Sequence, residues 1–212
     1  DPPQFTNGWG GGPNVGNLIG GDLGDSNVQM NGPWNPGINY DKTLIIVGFA
    51  SSELGKIDLT QPNKPLSKLT GVSLPGQAIV IAGYKNSNKA LIYYNNNTID
   101  ILDIDGNNGT GSVTNLIINS STIPGWGVSG DGPDMVVDST DTYAYLTVLN
   151  TGHIVKLTIA TGVLDIITGG QSLAPSNGTS IDTSTWRSPR GISYFKDSTN
   201  EVLYVGDFNR LR

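Results

Sequence analysis

Residues 134–168 read DMVVDSTDTYAYLTVLNTGHIVKLTIATGVLDIIT, four apolar runs separated by short polar turns. The runs are rich in β-branched and aromatic residues, which is typical of half-buried β-strands. Gly, Asn, Asp, Ser and Thr fill the turns, where they favour tight reversals of the chain. This stretch therefore predicts four consecutive strands, at residues 134–138, 143–149, 153–159 and 163–168.

The same order recurs along the chain, and nothing reads as a long amphipathic helix. One set of strands is predicted at 37–40, 44–49, 56–59 and 66–69, and another at 77–82, 90–94, 98–104 and 113–118. A further set begins at 191–195 and 202–205, with a third strand at 209–212. Corresponding positions are Ile38, Ile79, Met135 and Ile192. Their separation matches or exceeds the ~40–50 residues of a four-stranded propeller blade. The expected fold class is all-β, a β-propeller of four-stranded antiparallel blades.

One family shares this arrangement of motifs. The segment SPRGISY at 188–194, followed by NEVLYVGDFNRLR at 200–212, resembles an NHL repeat. In that family a Pro-x-Gly-Ile/Val strand precedes a Leu-Tyr-Val-Ala-Asp strand and then an Asn-x-Arg strand. Residues 30–38 with 44–48, and 133–138 with 152–157, resemble it as well. The resemblance implies a propeller of a kind that serves as a protein-binding, RNA-binding, adhesive or catalytic module.

The chain is expected to form a single domain, residues 1–212, with residues 1–29 as an N-terminal segment. Val15–Gly21 is similar to the outer-strand run Val163–Gly170, so a blade-closing strand is predicted near 15–19. With that strand, about four blades close a ring without a free sheet edge. Two alternatives are a part of a larger propeller, and a strand that completes the last blade of a neighbouring copy.

Composition excludes several classes of function. The chain has 212 residues and a net charge of −6, and 14% of its residues are charged. It contains no Cys and one His, which excludes a disulfide framework, a thiolate nucleophile and a Cys/His zinc site. Without a basic cluster, nucleic acid is not an expected partner. The longest aliphatic run, Leu44–Val47, is too short to insert into a membrane.

Catalytic and metal-binding patterns are weak. His153 stands in a turn without a recognisable nucleophile, and the zinc site of NHL-class lyases needs several histidines. Asp103–Gly109 resembles the start of a calcium loop, yet Asn108 and Thr114 stand where such a loop needs Gly and Glu. A hairpin turn is the favoured interpretation. No catalytic residue, metal ligand or cofactor is therefore predicted, although a channel metal held by Asp58, Asp138 or Asp207 stays open.

Two further groups of residues are candidate sites. Asn-x-Ser/Thr sequons occur at Asn96, Asn108, Asn119 and Asn177, no more often than chance gives in a chain so rich in Asn, Ser and Thr. N-glycosylation is one interpretation and polar turns are the other. The four tryptophans lie in Gly/Pro-containing loops: Trp9, Trp34, Trp126 and Trp186. They are predicted either to form a binding face for sugars or peptides, or to fill the gaps between adjacent blades.

The polar, weakly charged, Gly- and Asn-rich composition is common in secreted β-proteins. The sequence therefore predicts a non-catalytic extracellular or cell-surface propeller that acts as a structural or binding module. Self-assembly and glycosylation both stay open for it. Its expected partners are other proteins, copies of itself or glycans. One alternative is a calcium-dependent propeller hydrolase or lyase, and another is an intracellular protein-interaction propeller.

Overall fold

A computed structural model describes residues 36–48, 52–105, 110–124, 126, 134–149, 151–170, 186, 188–207 and 210–211. These residues form four antiparallel sheets, and in each sheet the strands neighbour one another in chain order. Three sheets have four strands and the last has three. We call them the first to fourth blades. Among the described residues there is no helix of the length and hydrophobicity that crossing a membrane requires.

The strand bounds follow the predicted pattern of apolar runs. The first blade contains β1 (Gly37–Ile38), β2 (Leu44–Gly48), β3 (Leu54–Asp58) and β4 (Leu66–Lys68). The second contains β5 (Ala78–Gly83), β6 (Lys89–Tyr94), β7 (Ile99–Asp105) and β8 (Thr110–Leu116). The third contains β9 (Met135–Val137), β10 (Tyr143–Val148), β11 (His153–Thr158) and β12 (Val163–Gly169). The fourth contains β13 (Pro189–Lys196), β14 (Glu201–Asp207) and β15 (Arg210–Leu211).

The blades pack on one another in chain order. The first strand of each blade contacts the first strand of the next, from β1 to β5, β9 and β13. Successive side chains of a strand point to opposite faces, so each blade offers one apolar face to the blade before it and another to the blade after it. Leu146 is 0% exposed in the core between the second and third blades, and Ile46 is 1% exposed between the first and second.

Glycine allows the closest contacts between the first and second blades. Gly83 ends β5, and a Cβ at this position would lie 2.0 Å from the carbonyl oxygen of Ile38. A Cβ at Gly48 would lie 2.7 Å from the carbonyl oxygen of Ala78. Since real side chains essentially never come so close, only glycine fits at these two places.

The linkers between blades are anchored at the outer strands. Gly111 donates a backbone hydrogen bond of 3.0 Å to Thr70, which follows the outer strand of the first blade. Asn119, which follows β8, donates a backbone hydrogen bond of 3.3 Å to Gly162 in the third blade. These two linkers therefore each run alongside the outer strand of the next blade.

Several predictions about strand ends needed correction. The third strand of the first blade begins at Leu54 rather than 56, because Leu54 pairs with Gly48. β8 begins at Thr110 rather than 113, because Thr110 pairs with Asp105. The N-terminal segment 1–29 with its closing strand near 15–19, and the sites Trp9, Trp34, Asn108 and Asn177, lie outside the described residues. Ring closure stays a prediction.

Candidate functional site at the linker end of the second and third blades

The loops at the two ends of the blades differ in length. The linkers between blades and the turns from the second to the third strand lie at one end, which we call the linker end. The turns from the first to the second strand lie at the other end, which we call the hairpin end. Eighteen residues separate β8 from β9 and nineteen separate β12 from β13, whereas β9 and β10 are joined by the five residues 138–142. Insertions on one side of a repeat structure often form its binding surface.

Trp126 anchors the linker between the second and third blades. Its indole Nε1 donates a 3.2 Å hydrogen bond to the backbone carbonyl of Asn97, in the turn between β6 and β7. Its half-buried ring meets Tyr93 edge-to-face, with 5.7 Å between centroids and 81° between planes. The Tyr93 hydroxyl donates a 2.8 Å hydrogen bond to Asn97 Oδ1. Asn97 has a φ of 68°, a left-handed conformation that Asn tolerates better than most residues.

His153 stands beside the same linker. The Thr151 hydroxyl donates a 3.0 Å hydrogen bond to the carbonyl of Pro124. His153 Nδ1 lies 2.8 Å from that hydroxyl oxygen. Because Thr151 has one hydroxyl hydrogen, His153 Nδ1 must be the donor, which leaves Nε2 as a hydrogen-bond acceptor. The contact therefore selects one tautomer of the imidazole.

Burial keeps the titratable groups of this site neutral. It lowers the pKa of His153 below its ordinary value. It raises the pKa of Tyr93 to about 12. At neutral pH these two groups are uncharged. Trp126, Asn97 and His153 are half-buried, whereas Tyr93 is 4% exposed and its hydroxyl is bonded to Asn97.

Two of the four candidate sequons, those at Asn96 and Asn119, lie in the described part of the chain. Asn96 and Asn119 are both exposed. Asn96 Oδ1 accepts a 2.7 Å hydrogen bond from the hydroxyl of Thr98, and Asn119 Oδ1 accepts one of 2.7 Å from Ser121. Each sequon therefore forms a local turn at the surface. N-glycosylation at Asn96 and Asn119 stays a prediction.

Trp186 lies between the third and fourth blades and is only 7% exposed. Its ring packs in a cluster with Ile154, Ile192 and Val205, and its Nε1 donates to Thr168 Oγ1 at 3.3 Å. This placement agrees with the interpretation that a tryptophan fills the gap between adjacent blades. The binding interpretation of the tryptophans stays a prediction, and of the two described ones Trp126 is the more exposed.

The aspartates considered for a channel metal do not converge. Asp138 is at the hairpin end, where Oδ1 accepts from the backbone N–H groups of Thr142 and Tyr143 at 2.9 and 3.0 Å. Asp207 is at the linker end, where Oδ1 accepts from the backbone of Ser188 at 2.8 Å. Asp58 caps a turn at Thr60. In the described part of the chain, no three His, Cys, Asp or Glu side chains gather where a metal could bind.

Asp103, which began the possible calcium loop, belongs to a hairpin. β7 and β8 pair through to Asp105 and Thr110. The Asp103 carboxylate lies 3.4 Å from Lys89 Nζ, on the neighbouring strand. This arrangement agrees with the hairpin interpretation of the sequence.

Sequence analysis did not single out Tyr93, Asn97 or Thr151 as members of the site. Tyr93 reads as an ordinary strand residue, and Asn97 and Thr151 read as ordinary turn residues. The linker between the second and third blades joins them: Trp126 reaches Tyr93 and Asn97 in the second blade, and Pro124 reaches Thr151 beside His153 in the third. No local sequence signal could have identified them.

Comparisons with known proteins support the fold. The chain is similar to a structural genomics protein of unknown function from Bacteroides thetaiotaomicron VPI-5482, with a TM-score of 0.60 and 12% identity over 90% of this chain and 56% of that chain. It is similar to an auxiliary nutrient binding protein from the same organism, with a TM-score of 0.59 and 12% identity over 82% of this chain and 42% of that one. A chain of a nidogen/laminin complex matches with a TM-score of 0.52 and 12% identity, over 86% of this chain and 74% of that chain.

These structures are β-propellers, and the predicted propeller fold is thereby confirmed. The present chain spans about half the length of the first two, 56% and 42%. No protein-family model matches the sequence, and no curated protein sequence matches it. Membership of the NHL family therefore stays a prediction.

Proposed function

We propose that this chain is a non-catalytic extracellular binding module that holds a neutral oligosaccharide at the linker end of its second and third blades. The observation that carries the proposal is a pair of contacts made by one linker. Trp126 donates a hydrogen bond to Asn97 of the second blade, and Pro124, two residues earlier, accepts one from Thr151, which in turn bonds to His153 of the third blade. Binding sites commonly combine aromatic surface with a few fixed polar groups. A sugar offers the matching chemistry, with C–H faces for stacking and hydroxyls for hydrogen bonds.

The chemistry of the site favours a neutral ligand over a charged one. His153 is neutral at physiological pH because burial lowers its pKa. Its Nε2 can accept a hydrogen bond from a ligand hydroxyl, while Trp126 supplies the apolar contact. Two similar structures, an auxiliary nutrient binding protein and a chain of a nidogen/laminin complex, support a binding role for the present chain.

Binding should be measured on an array of neutral oligosaccharides, followed by titration of the best ligand. We expect Trp126→Phe and His153→Gln each to raise Kd about tenfold, which corresponds to about 1.4 kcal/mol. Tyr143→Phe, at the hairpin end, is the matched control and should leave Kd unchanged. The proposal fails if no oligosaccharide binds, or if both linker-end variants bind like the unsubstituted protein.

Glycosylation at Asn96 and Asn119 is a second part of the proposal. Both side chains are exposed in surface turns, where a transferase could reach them. Protein secreted from a eukaryotic host should lose one glycan mass with Asn96→Gln and another with Asn119→Gln. Intact masses that differ from the unsubstituted protein only by the one CH2 that each Asn→Gln substitution adds would show that neither sequon is used. Because Asn96 adjoins Asn97, oligosaccharide titrations should use protein produced without glycans.

A further inference from the structure

A carboxylate lies buried between the first and second blades. Asp100 is the second residue of β7, near the linker end, and is only 3% exposed. Alternation along the strand places it on the same side of β7 as Leu102, which packs against the first blade. Charged side chains are almost never buried in this way unless they are paired.

The third blade has an apolar residue at the equivalent place. Leu102 of β7 and Leu157 of β11 each pair with an alanine of the preceding strand. Two residues earlier stand Asp100 in the second blade and Val155 in the third. Val155 is buried in the core between the second and third blades. Because an apolar residue is sufficient for packing at this place, the carboxylate of Asp100 indicates a function of its own.

The surrounding chain supplies little to offset the charge of Asp100. Asn115 Nδ2 donates a 2.8 Å hydrogen bond to Asp100 Oδ1, and no Lys or Arg side chain of the described residues forms an ion pair with it. Residues 1–35 and 49–51, which lie outside the description, contain no Lys or Arg. Buried charges are paired or bind metal ions, since their transfer from water is otherwise costly. This arrangement favours a counter-ion that comes from solution.

A buried hydroxyl lies near the same carboxylate. Tyr94, the last residue of β6, is 0% exposed in the core between the first and second blades. Its hydroxyl makes no hydrogen bond of good geometry within the described part of the chain. Burial, and after it the charge of Asp100, raise the pKa of Tyr94, so the hydroxyl stays neutral. Carboxylate and neutral oxygens are the ligands that hard cations prefer.

We propose that the carboxylate of Asp100 and the hydroxyl of Tyr94 bind one alkali-metal ion, sodium or potassium, between the first and second blades. A single carboxylate balances one positive charge, whereas a divalent ion would leave an unpaired charge in the interior. Asn115 fixes the carboxylate and is itself exposed, so the ion can exchange with solvent on that side. The bound ion stabilises the packing of the first blade on the second. This inference is independent of the oligosaccharide site.

Differential scanning calorimetry tests whether an ion binds. The protein is dialysed into choline chloride, whose cation is too large for the site, and compared with protein in sodium or potassium chloride at equal ionic strength. We expect Tm to rise by about 3–6 °C when the ion concentration is ten times Kd, because the ion binds only the folded chain. Equal Tm in all three salts overturns the proposal, and so does a rise with calcium chloride alone.

Two variants locate the ion. Asp100→Asn removes the charge and keeps the shape, so its Tm should be the same in choline and sodium chloride. Asp103→Asn is the matched control on the same strand, because Asp103 is exposed and lies beside Lys89, and this variant should keep the full rise. A rise that persists in Asp100→Asn contradicts the assignment of the ion to this carboxylate.

Isothermal titration calorimetry on the unsubstituted protein needs no variant. Titration with sodium or potassium chloride should show one site per chain, and Tyr94→Phe should raise Kd severalfold. The absence of saturable binding for both salts would overturn the proposal even if Asp100→Asn does not fold. No oligosaccharide is present in these measurements, so this proposal and the proposed function fail separately.

Discussion

Replacing Gly83 with Ala tests the packing between the first and second blades. The new Cβ would lie 2.0 Å from the carbonyl oxygen of Ile38, and contacts under 3.0 Å are essentially never found. The backbone of one blade must therefore retreat by about 1 Å. Overpacking costs about 1–3 kcal/mol, and the upper end applies because the opposing atom belongs to the backbone. For a chain of this size, a loss of about 3 kcal/mol lowers Tm by about 6–12 °C.

Gly206→Ala is the matched control, because its new Cβ would have no neighbour nearer than 3.7 Å. It should change stability by no more than about 0.5 kcal/mol. Both variants are compared with the unsubstituted protein by thermal melting followed with circular dichroism. Equal melting temperatures for Gly83→Ala and Gly206→Ala would refute the reasoning that the two blades meet backbone to backbone at Gly83.

Three further predictions concern single side chains. Trp186→Ala should lower the free energy of unfolding by about 3–5 kcal/mol in urea titrations, because the ring fills the space between the third and fourth blades; a loss under 1 kcal/mol would contradict this packing. Asp138→Ala should cost about 1–3 kcal/mol in the same assay, because two backbone N–H groups lose their acceptor; Asp138→Asn should cost less, since Asn39 caps the equivalent turn of the first blade. Burial lowers the pKa of His153, so the unfolded chain binds its proton more readily and stability should fall as the pH drops below about 6.5. Thermal melting at pH 5 and pH 7 should show a smaller difference for His153→Gln than for the unsubstituted protein, and an equal difference would count against the lowered pKa.

Strands with strong local patterns could be predicted closely from sequence. The strand at Tyr143–Val148 and the turns around it are determined by residues close together in the sequence. Their alternation of apolar and polar residues is therefore recognisable in a short stretch of the chain. Gly55 misled the prediction because glycine usually signals a turn. Here it lies inside β3, paired with Val47, and is buried.

The site was harder to predict because it depends on contacts between blades. Asp134 is an example of such a contact: its Oδ2 accepts a 2.9 Å hydrogen bond from the backbone of Ile192, 58 residues away. Similarly, the sequence marks Trp126 as notable but cannot show that its indole reaches Asn97. Residue types suggested which groups could bind a ligand, whereas the packing of neighbouring blades determined which of them meet.

Hydrogen–deuterium exchange with and without a bound oligosaccharide tests most directly the claim that the linker end binds ligand. Exchange should slow in peptides covering 93–98 and 151–155, which contain Tyr93, Asn97 and His153, and in the linker peptide 120–124, whose Pro124 bonds to Thr151. Peptides covering 39–43, 84–88 and 138–142, at the hairpin end, should exchange at the same rate in both samples. Protection confined to the hairpin end would contradict the account.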